Sequence, residues 1–94
     1  MYKVLKFYSP TCQPCKQIEH RLQELCWDIY KIQLEEIDGT KNLDMVAEHM
    51  IRSVPTMIML KDDKEISRHV GASGFEEWMQ NLLTVTDENI VTNN

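Results

Sequence analysis

Two thiols three positions apart, Cys12 and Cys15, stand where one hydrophobic period gives way to another. Lys3 to Tyr8 is mostly apolar and β-prone, and reads as a strand that ends at Ser9-Pro10. From Cys12 to about Trp27 the pattern is helical, with Ile18, Leu22, Leu25 and Cys26 at offsets 0, 4, 7 and 8 on one apolar stripe. Pro14 falls in the first turn, where its missing N–H costs little. The junction thus places both thiols at the start of a helix that a strand feeds. Unsatisfied backbone N–H groups and the positive end of the macrodipole favour a thiolate there and lower its pKa. The second thiol is near enough to displace a partner sulfur, so a disulfide opens and closes without large backbone movement.

Beyond this junction the two periods continue to alternate. Tyr30, Ile32 and Leu34 alternate with Lys31, Gln33 and Glu35, so Ile29 to Ile37 reads as a half-buried strand. Asp38-Gly39-Thr40 is a turn. Asn42 to Met50 is helical, with Leu43, Val46, Ala47, Met50 and Ile51 on its apolar stripe. The continuous apolar run Thr56 to Leu60 is a central strand, Asp62-Asp63-Lys64 a hairpin turn, and Glu65 to Val70 the returning edge strand. Ser73-Gly74-Phe75-Glu76 reads as a capping box, followed by a helix whose buried stripe is Phe75, Trp78, Met79, Leu82 and Leu83. Asp87 to Asn94 has no periodicity, which gives a domain over 1–84 and a loose tail over 85–94. The order is βαβαββα: an α/β fold in which one parallel unit joins a hairpin, with helices for both faces of the sheet.

Composition removes several function classes. The 94 residues suit one small domain, and a net charge of -5, from 10 basic and 15 acidic residues, argues against a nucleic-acid footprint. Met1 to Lys6 is not followed by the apolar core of a signal peptide, and no apolar run approaches the roughly 20 residues of a spanning helix. The expectation is a cytoplasmic protein with no membrane partner. In that compartment a Cys-x-x-Cys pair is more often redox-active or metal-binding than a structural staple, and 3 cysteines leave one odd thiol.

Three segments occur in a familiar order: Cys-x-x-Cys after the first strand, Ile51-Arg52-Ser53-Val54-Pro55-Thr56 before the third, and Val70-Gly71-Ala72-Ser73 after the fourth. On these the chain resembles the thioredoxin family from about Lys3 to Leu83. The resemblance implies a thioredoxin-like four-stranded mixed sheet with helices on both faces, lacking the N-terminal βα extension. It implies that Cys12 is the exposed nucleophile, Cys15 the buried resolving thiol, and the Val54–Pro55 bond cis. It also implies a substrate surface of Thr11, Gln13, Pro14, Val54, Pro55, Thr56, Gly71 and Ala72. The residue before such a proline can pair its backbone N–H and C=O with an extended substrate peptide.

The departures from the family are specific. Thr11 stands where thioredoxins usually carry a tryptophan, and Gln13 where a glycine is common. His20 replaces a frequent kinking proline, so a straighter helix is expected. Lys6 replaces the buried aspartate that assists proton transfer at the second cysteine. Phe7-Tyr8-Ser9 and Pro10-Thr11 look glutaredoxin-like, yet Gly71-Ala72-Ser73-Gly74-Phe75 lacks the Gly-Gly and acidic pairs with which glutaredoxins hold glutathione.

Lys6 shares a strand face with Val4 and Tyr8. Under a covered face it must snorkel or lose its charge, and a neutral amine could serve as base for Cys15. Lys16 is a solvated first-turn residue or a weak pKa tuner of Cys12. Cys26 completes an apolar stripe and reads as a core thiol. It lies about 16 Å from Cys15 along a helix rising 1.5 Å per residue, too far for a disulfide. A zinc site built from Cys12, Cys15, His20 and Cys26 is poor for the same reason, and no metal is expected. His49 and His69 read as surface residues, Met57 and Met59 as core, and Glu35-Glu36 as a solvated strand end.

Together these features describe a cytoplasmic, monomeric thiol–disulfide oxidoreductase that reduces protein disulfides and binds no cofactor. The resemblance implies recharging by an NADPH-dependent thioredoxin reductase. Three alternatives stand beside it: a glutaredoxin-like enzyme recharged by glutathione, a non-catalytic module that docks a partner beside Pro55, and an iron–sulfur module bridging two chains through Cys12.

Overall fold

β1 (Tyr2–Tyr8) runs through the interior of a four-stranded sheet of order β2-β1-β3-β4. It pairs parallel with β2 (Ile32–Asp38) and antiparallel with β3 (Thr56–Lys61), which in turn pairs antiparallel with β4 (Lys64–Val70). Three helices complete the chain: α1 (Gln13–Glu24), α2 (Leu43–Glu48) and α3 (Phe75–Thr92). The computed structural model describes residues 2–24 and 31–92. Leu25, Cys26, Trp27, Ile29 and Tyr30, which the sequence places on the first helix and second strand, lie outside the described residues.

The central position of β1 follows from its composition. Val4, Leu5 and Phe7 are all buried, so both faces of the strand need cover. On one face Val4, Met57 and Met59 pack with Ile18 and Leu22 of α1 and with Phe75, Met79 and Leu82 of α3. On the other, Leu5, Phe7, Ile37, Ile58 and Leu60 pack beneath Met45, Val46, Ile51 and Val54. The apolar run of β3 is buried from Thr56 to Leu60, as its continuous hydrophobicity requires.

Four local readings differ from the structure. α2 has no buried residue, and Leu43 and Met50 of the expected stripe are 70% and 73% exposed. The helix spans only 6 residues, so it turns Met45 and Val46 inward and has too little length to lay a whole stripe on the sheet. At the β3–β4 turn, Asp62 and Asp63 have positive φ and Lys61 already pairs with Lys64, which makes a two-residue turn rather than a three-residue one. Gly74, not Ser73, caps α3: its carbonyl accepts the Trp78 amide at 3.1 Å. Glu76 faces Arg21 instead of closing a capping box, with a bond of 2.8 Å from Nη2 to Oε2. The backbone of α3 continues to Thr92, past the boundary drawn at residue 84.

Two equivalent-looking stripe positions should therefore respond differently to truncation. Leu22→Ala, at a fully buried site, should lower stability by about 2–5 kcal/mol, whereas Leu43→Ala should stay within about 0.5 kcal/mol, both read by denaturant unfolding. At the end of β2, Asp38 Oδ1 accepts both the Thr40 hydroxyl at 2.6 Å and the Thr40 amide at 2.9 Å. The hydroxyl bond is the main reason that the carboxyl titrates below its ordinary 3.8. Because the folded value is depressed, this contribution is present above about pH 4 and fades as pH falls through the folded value. An NMR titration should place Asp38 below 3.8, and Thr40→Ala should return it upward.

Candidate active site

The chain leaves the sheet at Tyr8 and begins to coil four residues later. Ser9 O accepts the Cys12 amide at 3.2 Å, and Cys12 O accepts the Lys16 amide at 3.4 Å. Cys12 thereby occupies the cap position of α1, and its Sγ accepts the Cys15 amide at 3.1 Å. Sulfur does here what a serine or aspartate oxygen does at other helix starts: it satisfies a backbone donor that the helix leaves unpaired. A thiolate at Cys12 accepts that bond more strongly than a thiol, so the geometry favours the charged form. Cys12 and Cys15 are joined as a disulfide, with Cα atoms 5.2 Å apart.

Cys15 is 3% exposed and Cys12 9%. The expected exposed nucleophile is thus exposed only relative to its partner, because the cap position tucks its sulfur under the first turn. Thr11, Gln13 and Pro14 around it are open to solvent, as a docking rim requires.

The cis Val54–Pro55 peptide bond is present as expected. Pairing of Phe7 with Thr56 brings the start of β3 beside the end of β1. Pro55 O accepts the Gly71 amide at 2.8 Å, which ties the loop after β4 to the same end of the sheet; Gly71, at φ +88°, suits that conformation. Val54 is half-buried and, with Ser9, Thr40, Ile51, Arg52 and Ser53, lines a groove of about 220 Å³. Ser9, Arg52 and Ser53 were not among the residues expected at the site; the two that precede Val54 belong to a segment whose order already marks it.

Three expected substrate contacts have other work: Pro55 is fully buried, with its carbonyl taken by the Gly71 amide. Thr56 is 2% exposed and its hydroxyl donates to Ser53 O at 2.7 Å, which closes the loop from inside. Ala72 packs partly against the core, and its carbonyl accepts the Phe75 amide at 3.3 Å, so it serves the entry to α3.

Lys6 does not snorkel. Its side chain is 3% exposed, and Nζ lies 3.8 Å from Glu36 Oε1 and 5.4 Å from the centre of the Tyr8 ring. Lys6, Glu36 and Tyr8 line a cavity of about 130 Å³ together with Ser9, Pro10, Cys15, Lys16 and Glu19. Lys16 is exposed at its rim. Glu36, read from sequence as a solvated strand end, is directly opposite Lys6 in the β1–β2 register. Only that register could have disclosed the pairing, since 30 residues separate the two. Among the described residues, no three His, Cys, Asp or Glu side chains converge as a metal site, and no helix is long and apolar enough to cross a membrane.

Comparison with known proteins agrees with this geometry. The thioredoxin family model matches residues 2–84. A thioredoxin of Staphylococcus epidermidis is 32% identical over 89 residues, covering 94% of this chain and 82% of that one. A Schizosaccharomyces pombe relative that carries a protein disulfide-isomerase name is 34% identical over 70 residues, and the chain spans 14% of its length. The crystal structure of Fasciola hepatica thioredoxin superimposes with a TM-score of 0.79 at 26% identity, over 90% of this chain and 80% of that one. Since the family model runs through every strand and through α3 as far as residue 84, the chain belongs to the thioredoxin family, and Cys12–Cys15 is the disulfide of a thiol–disulfide oxidoreductase.

Proposed function

We propose that this protein reduces disulfides in other proteins. The observation that carries the reading is the Cys15 amide directed at Cys12 Sγ, at a helix start beside an open groove. In the reduced protein, the Cys12 thiolate attacks one sulfur of a substrate disulfide. A mixed disulfide forms and the other substrate sulfur leaves as a thiolate, which takes a proton from water. Cys15, deprotonated, then attacks Cys12 Sγ; the Cys12–substrate bond breaks as Cys12–Cys15 forms, and the second substrate thiolate leaves. Two electrons have passed from the dithiol to the substrate.

An extended substrate segment lies along the groove at Val54 and meets the exposed Thr11, Gln13 and Pro14. A threonine at residue 11 makes that rim flatter and more polar than an aromatic would. Electrons return from an NADPH-dependent reductase of the thioredoxin reductase type, and the protein works as a monomer in the cytoplasm. The family assignment supports the first of these, and a Cys-x-x-Cys pair with one odd cysteine beside it fits a reducing compartment.

Titration of the Cys12–Cys15 couple against defined thiol buffers, coupled to turnover of a protein disulfide, tests the reading. Cys12→Ser should abolish turnover, and Cys15→Ser should accumulate a mixed disulfide with substrate, visible as an added mass. In the reduced protein at pH 7, Cys12 should alkylate at least about tenfold faster than Cys15, the population ratio that one pKa unit gives. Equal alkylation of the two thiols, or full turnover by either serine variant, would overturn the proposal. Efficient reduction by glutathione in place of NADPH and thioredoxin reductase would move the protein to the glutathione-dependent alternative.

A further inference from the structure

The reaction needs a proton to leave Cys15, and Cys15 is the more buried of the two sulfurs. Burial in apolar surroundings opposes thiolate formation. The charged groups around this sulfur therefore decide how readily it attacks. From α1 they are Lys16 and Glu19, from β1 Lys6, with the Tyr8 phenol, and from β2 Glu36; all line the cavity that Cys15 also lines. The groups that reach the same face from β3 and α3, Met57, Phe75 and Met79, are apolar. Lys16, Glu19 and Glu36 have access to water, which screens them. Lys6 does not: it is 2% exposed, and a carboxylate and an aromatic face are the partners of a cation.

We propose that the Lys6 ammonium, tempered by Glu36, sets the protonation of Cys15, and through it the pH at which the mixed disulfide resolves. The proposal rests on the disulfide-reductase reading and adds a positioning pair to it. A buried cation lowers the energy of a thiolate beside it, whereas a carboxylate in its place would raise it. The proton that Cys15 releases passes through the cavity to water at its exposed rim, where Glu19 and Glu36 stand. Glu36 has a second effect, since its charge offsets part of the field that Lys6 casts on the sulfur. The two ends of one ion pair thus push Cys15 in opposite directions.

This opposition supplies the test. Mixed disulfide of the full chain with a small aromatic thiol is formed at Cys12, and its resolution is followed from pH 5 to 9 by release of the chromophore. Lys6→Met, which keeps the length of the side chain, should move the midpoint up by about one pH unit and slow resolution about tenfold at pH 7. Lys6→Arg should restore most of the rate. Glu36→Gln, at a side chain 42% exposed, should move the midpoint down. A purely structural role for the pair would shift both variants the same way or neither. If the Lys6 variants fail to fold, an unmoved or raised midpoint in Glu36→Gln still overturns the proposal. Absence of any Cys12–Cys15 closure in the unmodified protein would instead strike the disulfide-reductase reading itself.

Discussion

The site depends on one hydrogen bond, from the Cys15 amide to Cys12 Sγ. It exists because β1 is held on both faces and on both edges, so the chain has no freedom at Tyr8 except to turn and coil. Three residues make that turn, and the next residue is obliged to cap the helix. With sulfur in the capping position, an electrostatic feature common to all helix starts is spent on a nucleophile. The same clamped strand fixes the opposing wall. Its pairing with Thr56 sets the Val54–Pro55 bond beside the junction, and the bond from Gly71 to Pro55 O draws in the loop after β4. The site is thus assembled at one end of the sheet by strand register and by the loop over residues 49–55 that carries the cis Val54–Pro55 bond.

Much of this was legible in the residues. Strands such as β1 and β3 announce themselves by β-prone apolar runs too short to be helices, and the thiols by their place at a change of period. What escaped was decided by geometry that periodicity does not carry. Leu43 and Met50 fall on a proper helical stripe, but a stripe says only which residues share a face, not whether the helix is long enough to bury it. Thr56 belongs to a segment that borders the site, yet strand alternation turns its hydroxyl inward to Ser53. Ser73 and Glu76 have capping-box spacing, but a positive φ at Gly74 starts the helix one residue later, and Arg21 from another element claims the glutamate. Glu36 was hidden more deeply, because its role depends on a partner 30 residues away and on a register that only folding sets.

The two sulfurs are governed by fields of different origin, and this difference has consequences for how such a site can change. Cys12 answers to backbone dipoles, which contribute about 0.3–1 kcal/mol near a helix end and up to about 2 kcal/mol when partly buried. They are present whatever the side chains are and do not titrate. Cys15 answers to side chains, foremost a buried lysine whose carboxylate partner is itself half in water. That field varies with single substitutions.

Because about 1.4 kcal/mol corresponds to one pKa unit and to about 30 mV in a two-electron couple, a single side chain near Cys15 weighs as much as the helix start does on Cys12. A carboxylate and an ammonium at position 6 would then place the same fold on different parts of the redox scale while leaving the nucleophile's own surroundings intact. Glu36 stands opposite Lys6 in register, and its carboxylate, 3.8 Å from the ammonium, lowers the cost of burying that cation. The β2 strand, through the Glu36 side chain, thereby becomes part of the redox chemistry. Its contribution is an acidic residue directly opposite the cation that lines the same cavity as the resolving thiol.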